Sequence, residues 1–251
     1  MLTRRASILA AAIGAAALLL YVVTLAPGLI AIEDTPKFQF VGRILGTAHP
    51  PGYPVYVVLS HVFGLLPFGN LAWRMNLLSA IVAACTVILT QLAAIELGVA
   101  PLIAAAAGLG LATGAGFWFS ATIAEVYALH GAIFAAMTWT LFRWRRTGRT
   151  AWFFLSIAAF SIGLGHHTSI VTVGPAVALL AIAVAPRFAL HPKTVAAILG
   201  LFALGFLQGL VRPRAHATGR VGRVACEHAA RARGRDQGAR DGPVTSRRPR
   251  G

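Results

Sequence analysis

Charge is what this 251-residue sequence has least of. Asp, Glu, Lys and Arg make up 12% of it, against about a quarter in an ordinary soluble domain. Acids are the scarcer sign, seven in all, and four of them precede residue 212. So few charges cannot clothe a water-facing surface, which excludes a soluble enzyme and makes lipid the implied solvent. Cysteine is scarce too. Cys85 lies in an apolar run and Cys226 near the C-terminus, so neither a disulfide framework nor a CxxC metal spacing exists. The glycines from Gly110 to Gly116 are not followed by the Lys-Ser/Thr of a phosphate-binding loop, and a nucleotide loop has no support.

What is present is apolar: 57% of the residues, with a mean hydropathy of +0.74. Positive charge is unevenly spread. Residues 1–211 hold 11 Lys/Arg and 4 acids, whereas 212–251 hold 11 Arg and 3 acids. The high isoelectric point is therefore partly a property of the end of the chain, and no nucleic-acid partner is expected. The sequence divides into a membrane core, 1–211, and a basic tail, 212–251, where apolar periodicity stops. The tail reads either as a basic arm for an anionic surface or as the product of a shifted reading frame. The second is the simpler expectation, and it would leave the core truncated and inactive.

Eight apolar segments stand out: 7–26, 53–66, 76–97, 101–119, 126–142, 151–165, 169–186 and 194–211. The first follows Arg4-Arg5 and, at about 20 residues, is long enough to span a bilayer. It is expected to stay as a helix and not be removed as a signal peptide. The second is short and opens on His49-Pro50-Pro51-Gly52-Tyr53-Pro54. Positive charge decides its role. If 53–66 lies along the surface, the inner side collects Arg4, Arg5, Arg143, Arg145, Arg146, Arg149, Arg187 and Lys193, and the outer side only Lys37, Arg43 and Arg74. If it spans, the two most basic loops fall outside. The expected fold is thus an all-α integral membrane protein. It has about seven transmembrane helices, one interfacial helix in a long first outer segment (27–75), and a cytoplasmic N-terminus.

This topology gathers the rare polar residues on the outer face, as a site at that interface would require. Glu33-Asp34 follow the first helix directly. They could accept a proton or bind a cation, or be solvated loop acids, and in extended chain only one of the two can enter a cleft. Three prolines and a glycine hold His49 and Tyr53 rigidly, which suits a positioned site as well as a plain turn. Arg74, beside Trp73, is either a snorkelling residue of the aromatic belt or a bidentate phosphate ligand. Glu125 falls where a helix dipole stabilises an acid, and near a membrane boundary it stays a candidate for function. His166-His167 lack an evident third metal ligand, so no metal is assigned. His130 reads as a satisfied buried imidazole, Gln91 and Glu96 as a capped inner helix end, and Gly108, Gly110, Gly114, Gly116, Gly163 and Gly165 as packing faces.

The order of these residues resembles a known family. Thr24-Leu25-Ala26-Pro27, Glu33-Asp34-Thr35 and Leu45-Gly46-Thr47-Ala48-His49-Pro50-Pro51-Gly52-Tyr53-Pro54-Val55-Tyr56 carry the likeness. Arg74-Met75-Asn76, Ala124-Glu125-Val126-Tyr127 and Gly163-Leu164-Gly165-His166-His167-Thr168 continue it, over residues 21–185. They resemble a bacterial membrane family, once known only as a domain of unknown function, whose animal relative is an endoplasmic-reticulum protein O-mannosyltransferase. The resemblance implies a GT-C glycosyltransferase fold in the bacterial inner membrane, and a polyprenyl-phosphate sugar as donor with no certain cofactor. It also implies a protein or glycan acceptor, and an acid in the first outer loop as general base. By position that acid is Asp34, with Glu125 as a second catalytic candidate. Glu33, His49, Tyr53, Arg74, His166 and His167 are candidates for substrate binding. Where the family carries a second acid three residues after the first, this chain has Lys37. Two other readings compete: a transporter, which predicts ionisable groups at mid-bilayer and repeated broken helices, and a non-catalytic scaffold.

Overall fold

The structure is a computed structural model that describes residues 3–48 and 52–210, with side chains through residue 207. His49, Pro50, Pro51 and the tail from 211 onward lie outside the described residues. Among the described residues regular structure is all helical, without a strand. In chain order the elements are α1 (Arg4–Val23), α2 (Thr35–Phe38), α3 (Pro54–Gly64), α4 (Leu71–Glu96), α5 (Pro101–Thr113), α6 (Ala115–Thr122), α7 (Val126–Thr147) and α8 (Thr150–His166). A 3-10 turn (Thr168–Val173), α9 (Gly174–Val184), α10 (Pro186–Ala189) and α11 (Pro192–Leu210) follow.

All eight apolar segments are mainly helical, but they are not alike. By length and composition α1 and α4 are able to cross a membrane, or three spans exist if α5 and α6 count as one. The apolar segment 101–119 is broken into α5 and α6, which are bent by 63°. The break falls at Gly114, whose ψ of 125° leaves the helical region, and glycine weakens a helix where it sits. The far side of the bend is tied to the end of α1. Trp118 donates its indole N–H to the Thr24 hydroxyl at 2.9 Å, and the Ala26 amide donates to the Thr122 carbonyl at 3.1 Å.

Small residues set how closely the helices approach, as expected in lipid. α1 buries Ala6, Ala10, Gly14 and Ala17, and the Ile88 side chain occupies the space a Cβ on Gly14 would need. Gly108 of α5 leaves room for Gln91 of α4 in the same way. Large apolar side chains point outward instead, Leu19, Leu102, Leu179 and Leu204 among them, which only an apolar surrounding tolerates in such number.

α4 and α7 lie side by side in the same direction. At one end the Glu125 amide, just before α7, donates to the Ser79 hydroxyl at 3.3 Å. At the other, Arg143 Nη1 donates to Glu96 Oε1 at 2.8 Å and Arg146 Nε pairs with Glu96 Oε2. The Arg143 guanidinium also lies over the Trp152 ring, 4.9 Å from its centroid. The expectation of a simple capped helix end at Glu96 is therefore corrected. Its side chain is wholly buried, and a buried carboxylate needs partners. Two arginines that sequence reasoning had treated only as loop charge supply them.

The segment between α1 and α4 leaves and returns at one place. Asn70, which caps α4 by accepting from the Trp73 amide, donates its Nδ2 to the Pro27 carbonyl at 3.2 Å. Asn76 Nδ2 donates to the Ala26 carbonyl at 2.9 Å. α2 and α3 thus belong to the same end of the bundle as Glu125.

Candidate active site

The site is built on a buried amide lattice. Gln39 and Asn76 are fully buried, and buried amides must spend their polar atoms. Gln39 Nε2 donates to Asn76 Oδ1 at 3.0 Å and to the Gly28 carbonyl at 3.1 Å, and its Oε1 accepts from the Ile30 amide at 3.1 Å. These bonds pin the chain after α1 against α4, which fixes where Glu33, Asp34 and Thr35 stand.

Thr35 is buried and donates its hydroxyl to Glu125 Oε1 at 2.8 Å. The bond joins the first loop to the start of α7 across the site. Glu125 is 4% exposed. Burial pushes its carboxyl pKa above the ordinary glutamate value. The nearby Glu33 and Asp34 charges act in the same direction, while the Thr35 hydroxyl and the Val126 amide oppose. Asp34 occupies the N-cap position of α2. It pairs with Lys37 Nζ at 2.5 Å, and the two side chains are 40% and 51% exposed, so the pair contributes little to stability. Lys37, the departure from the family's pattern, thus stands directly on the candidate base. Glu33 is exposed and has a φ of 47°, a left-handed conformation costly for a residue with a side chain.

Tyr53 joins the acids to the histidines. It too is left-handed, with φ 49°, directly after Gly52 at φ 98°, and its ring is buried. It meets Phe38 edge-on at 5.5 Å and His166 at 5.8 Å. Burial raises its hydroxyl pKa, with Tyr127, Asp34 and Glu125 adding to the effect. Tyr56, one turn on, donates to the Phe38 carbonyl at 3.1 Å and clamps α2 onto α3.

His166 is fully buried at the end of α8. Its Nε2 bonds the Val126 carbonyl at 3.1 Å, while Nδ1 is buried with no partner. His167 lies 4.8 Å from the His130 ring and 6.0 Å from Tyr127. Ser169 Oγ links the pair, at 2.8 Å from His167 Nδ1 and 3.1 Å from His130 Nε2. His130 is therefore not the fully satisfied imidazole expected. It is half-buried, and its Nδ1 has no partner. Among the described residues no group of three His, Cys, Asp or Glu is placed to hold a metal.

The remaining candidates are differently engaged. Arg74 donates Nη1 to the Gly64 carbonyl at 2.9 Å and to the Leu66 carbonyl, capping the C-terminal end of α3. His49 lies outside the described residues. Sequence reasoning missed Thr35, Tyr127, His130 and Ser169 as members of this cluster. A signal existed for two of them: Tyr127 and His130 are three apart at the start of α7 and so share a face beside Glu125.

The sequence pattern of the protein O-mannosyl-transferase TMEM260 N-terminal domain matches residues 34–188, from Asp34 past the histidine cluster. The chain belongs to this family. The protein O-mannosyl-transferase TMEM260 of Mus musculus is 40% identical over 52 residues, which is 20% of this chain and 7% of that protein. The match thus spans a small part of the relative's length. No solved structure matches.

Proposed function

We propose that the chain is a membrane glycosyltransferase core that moves a sugar, by family analogy mannose, from a polyprenyl-phosphate carrier to a hydroxyl of a protein or glycan acceptor. The observation that carries this reading is the Thr35–Glu125 bond. It brings the loop bearing Asp34 onto the start of α7, so the acids of two separate family-matching segments form one cluster. Asp34 takes the proton of the acceptor hydroxyl as the oxygen attacks the anomeric carbon, the sugar inverts, and the lipid phosphate leaves. Glu125 acts chiefly through Thr35, positioning α2. Tyr53 forms the wall between the base and the histidines.

The membrane arrangement that goes with this reading has seven crossings, with α3 on the outer surface and the N-terminus in the cytoplasm of a bacterial cell. Support comes from the return of the 27–70 segment to its starting place and from the collection of basic residues at the opposite end. The test is a transfer assay with purified protein and polyprenyl-phosphate mannose. Asp34→Asn should abolish transfer and leave membrane insertion intact. Turnover at the parental rate in that variant would sink the assignment.

A further inference from the structure

The fold gathers cations at the end of the bundle opposite the candidate site. Ala6, directly after Arg4 and Arg5, packs in one cluster with Ile95 and Ala104, so the start of α1 lies beside the end of α4. Arg143 and Arg146 reach Glu96 there. Phe188 of α10 meets Trp144 at 6.1 Å and Phe153 at 5.3 Å, which brings Arg187 to the turn between α7 and α8. Lys193 follows in the first turn of α11. Of the four acids before residue 212, only Glu96 stands at this end.

Glu96 divides the arginines into two kinds. Arg143 and Arg146 are drawn inward to its buried carboxylate, and Arg143 also covers the Trp152 ring. Arg145 and Arg149 are exposed, and among the described residues neither is in an ion pair. The connection that carries them is short and fixed. α7 stops at Gly148, left-handed at φ 68°, whose amide donates to the Trp144 carbonyl at 2.8 Å. Arg187 and Lys193 are exposed as well. Leu97, Leu102 and Leu190 stand exposed among these cations. A water-soluble polyanion matches the charge but not the leucines. A lipid with a negatively charged head matches both.

We propose that this end of the bundle binds the head groups of anionic phospholipids. Arg145, Arg149, Arg187 and Lys193 make the contacts, while Glu96 holds Arg143 and Arg146 back for the bundle itself. The guanidinium forks of Arg145 and Arg149 suit phosphodiester oxygens. The binding is independent of the transfer reaction.

The test reconstitutes the full chain with equal phosphatidylglycerol and phosphatidylcholine, re-extracts it in detergent, and counts the retained lipid by native mass spectrometry. Phosphatidylglycerol should be retained over phosphatidylcholine about tenfold. Arg145→Gln with Arg149→Gln should remove most of that preference and leave the melting temperature unchanged. Arg143→Gln should do the reverse, lowering the melting temperature and keeping the preference. Arg43→Gln, an exposed cation of the other end, should change neither. A photoactivatable phosphatidylglycerol should mark residues 143–152 and 186–193 of the unmodified protein. Equal retention of the two lipids, or marking concentrated on residues 27–75, overturns the proposal whatever the variants do. A preference that survives the double substitution overturns the assignment of contacts. Displacement of the lipid by an RNA oligomer or by inorganic phosphate overturns the choice of partner.

Discussion

The two ends of the bundle handle charge in opposite ways. At the end of α4 and α7, one acid meets two arginines and an aromatic ring lies over the first. At the start of the same two helices, Glu33, Asp34 and Glu125 crowd together, and Lys37 pairs with Asp34 at the surface. The first arrangement neutralises a buried charge. The second leaves like charges close and holds Glu33 and Tyr53 in left-handed backbone. Strained backbone and crowded like charges cluster at functional sites, which is why this end holds the candidate site. The contrast teaches that an acid in a membrane protein is read by its partners and not by its depth.

That contrast can be broken by substitution. The largest expected effect is at Asp34: replacing it with Asn should lower transfer by about 10²–10⁴-fold while the melting temperature in detergent stays put. Glu96→Ala should do the opposite. It leaves two arginines around an empty place and should cost about 3–5 kcal/mol of stability, seen as a lower melting temperature, with the activity per folded molecule preserved. The next effect is on pH dependence. Glu125 binds its proton more readily in the folded chain than in the unfolded one, so its contribution to stability falls as pH rises from the ordinary glutamate range through its raised value. Subtracting the Glu125→Gln stability curve from the parental one should isolate that decline, and a flat difference would refute the burial argument. The smallest is Thr35→Val, which removes one hydrogen bond, costs about 1 kcal/mol, and should move the Glu125 titration further upward because a donor to the charged form is gone.

The helices were legible because lipid demands long apolar runs, and each of the eight runs became mainly helical. The structure adds one fact about α3 that loop charge alone did not: the segment carrying it leaves and returns at one end of the bundle, through the Asn70–Pro27 bond. The bend at Gly114 was not legible, because a glycine among apolar residues reads the same whether it packs a helix or breaks one. Glu96 was misread because its partners are Arg143 and Arg146, 47 and more residues away. Nothing local marks such a pairing. Within the site, Asp34 and Glu125 announced themselves as acids in a chain almost without them. Thr35, His130 and Ser169 did not, since a hydroxyl or a lone imidazole acquires meaning only from what the fold sets beside it.

The Thr35–Glu125 bond has a consequence in time. Its two ends are separated by 90 residues, about 5–18 s of synthesis at common ribosomal rates of ~5–20 residues per second. During that interval the first loop is already made, with its threonine waiting for an acid not yet synthesised. The assembling bundle therefore passes through a stage in which its first loop is unanchored on one side, and a chaperone or a neighbouring helix able to hold it there would raise the yield of correctly assembled protein.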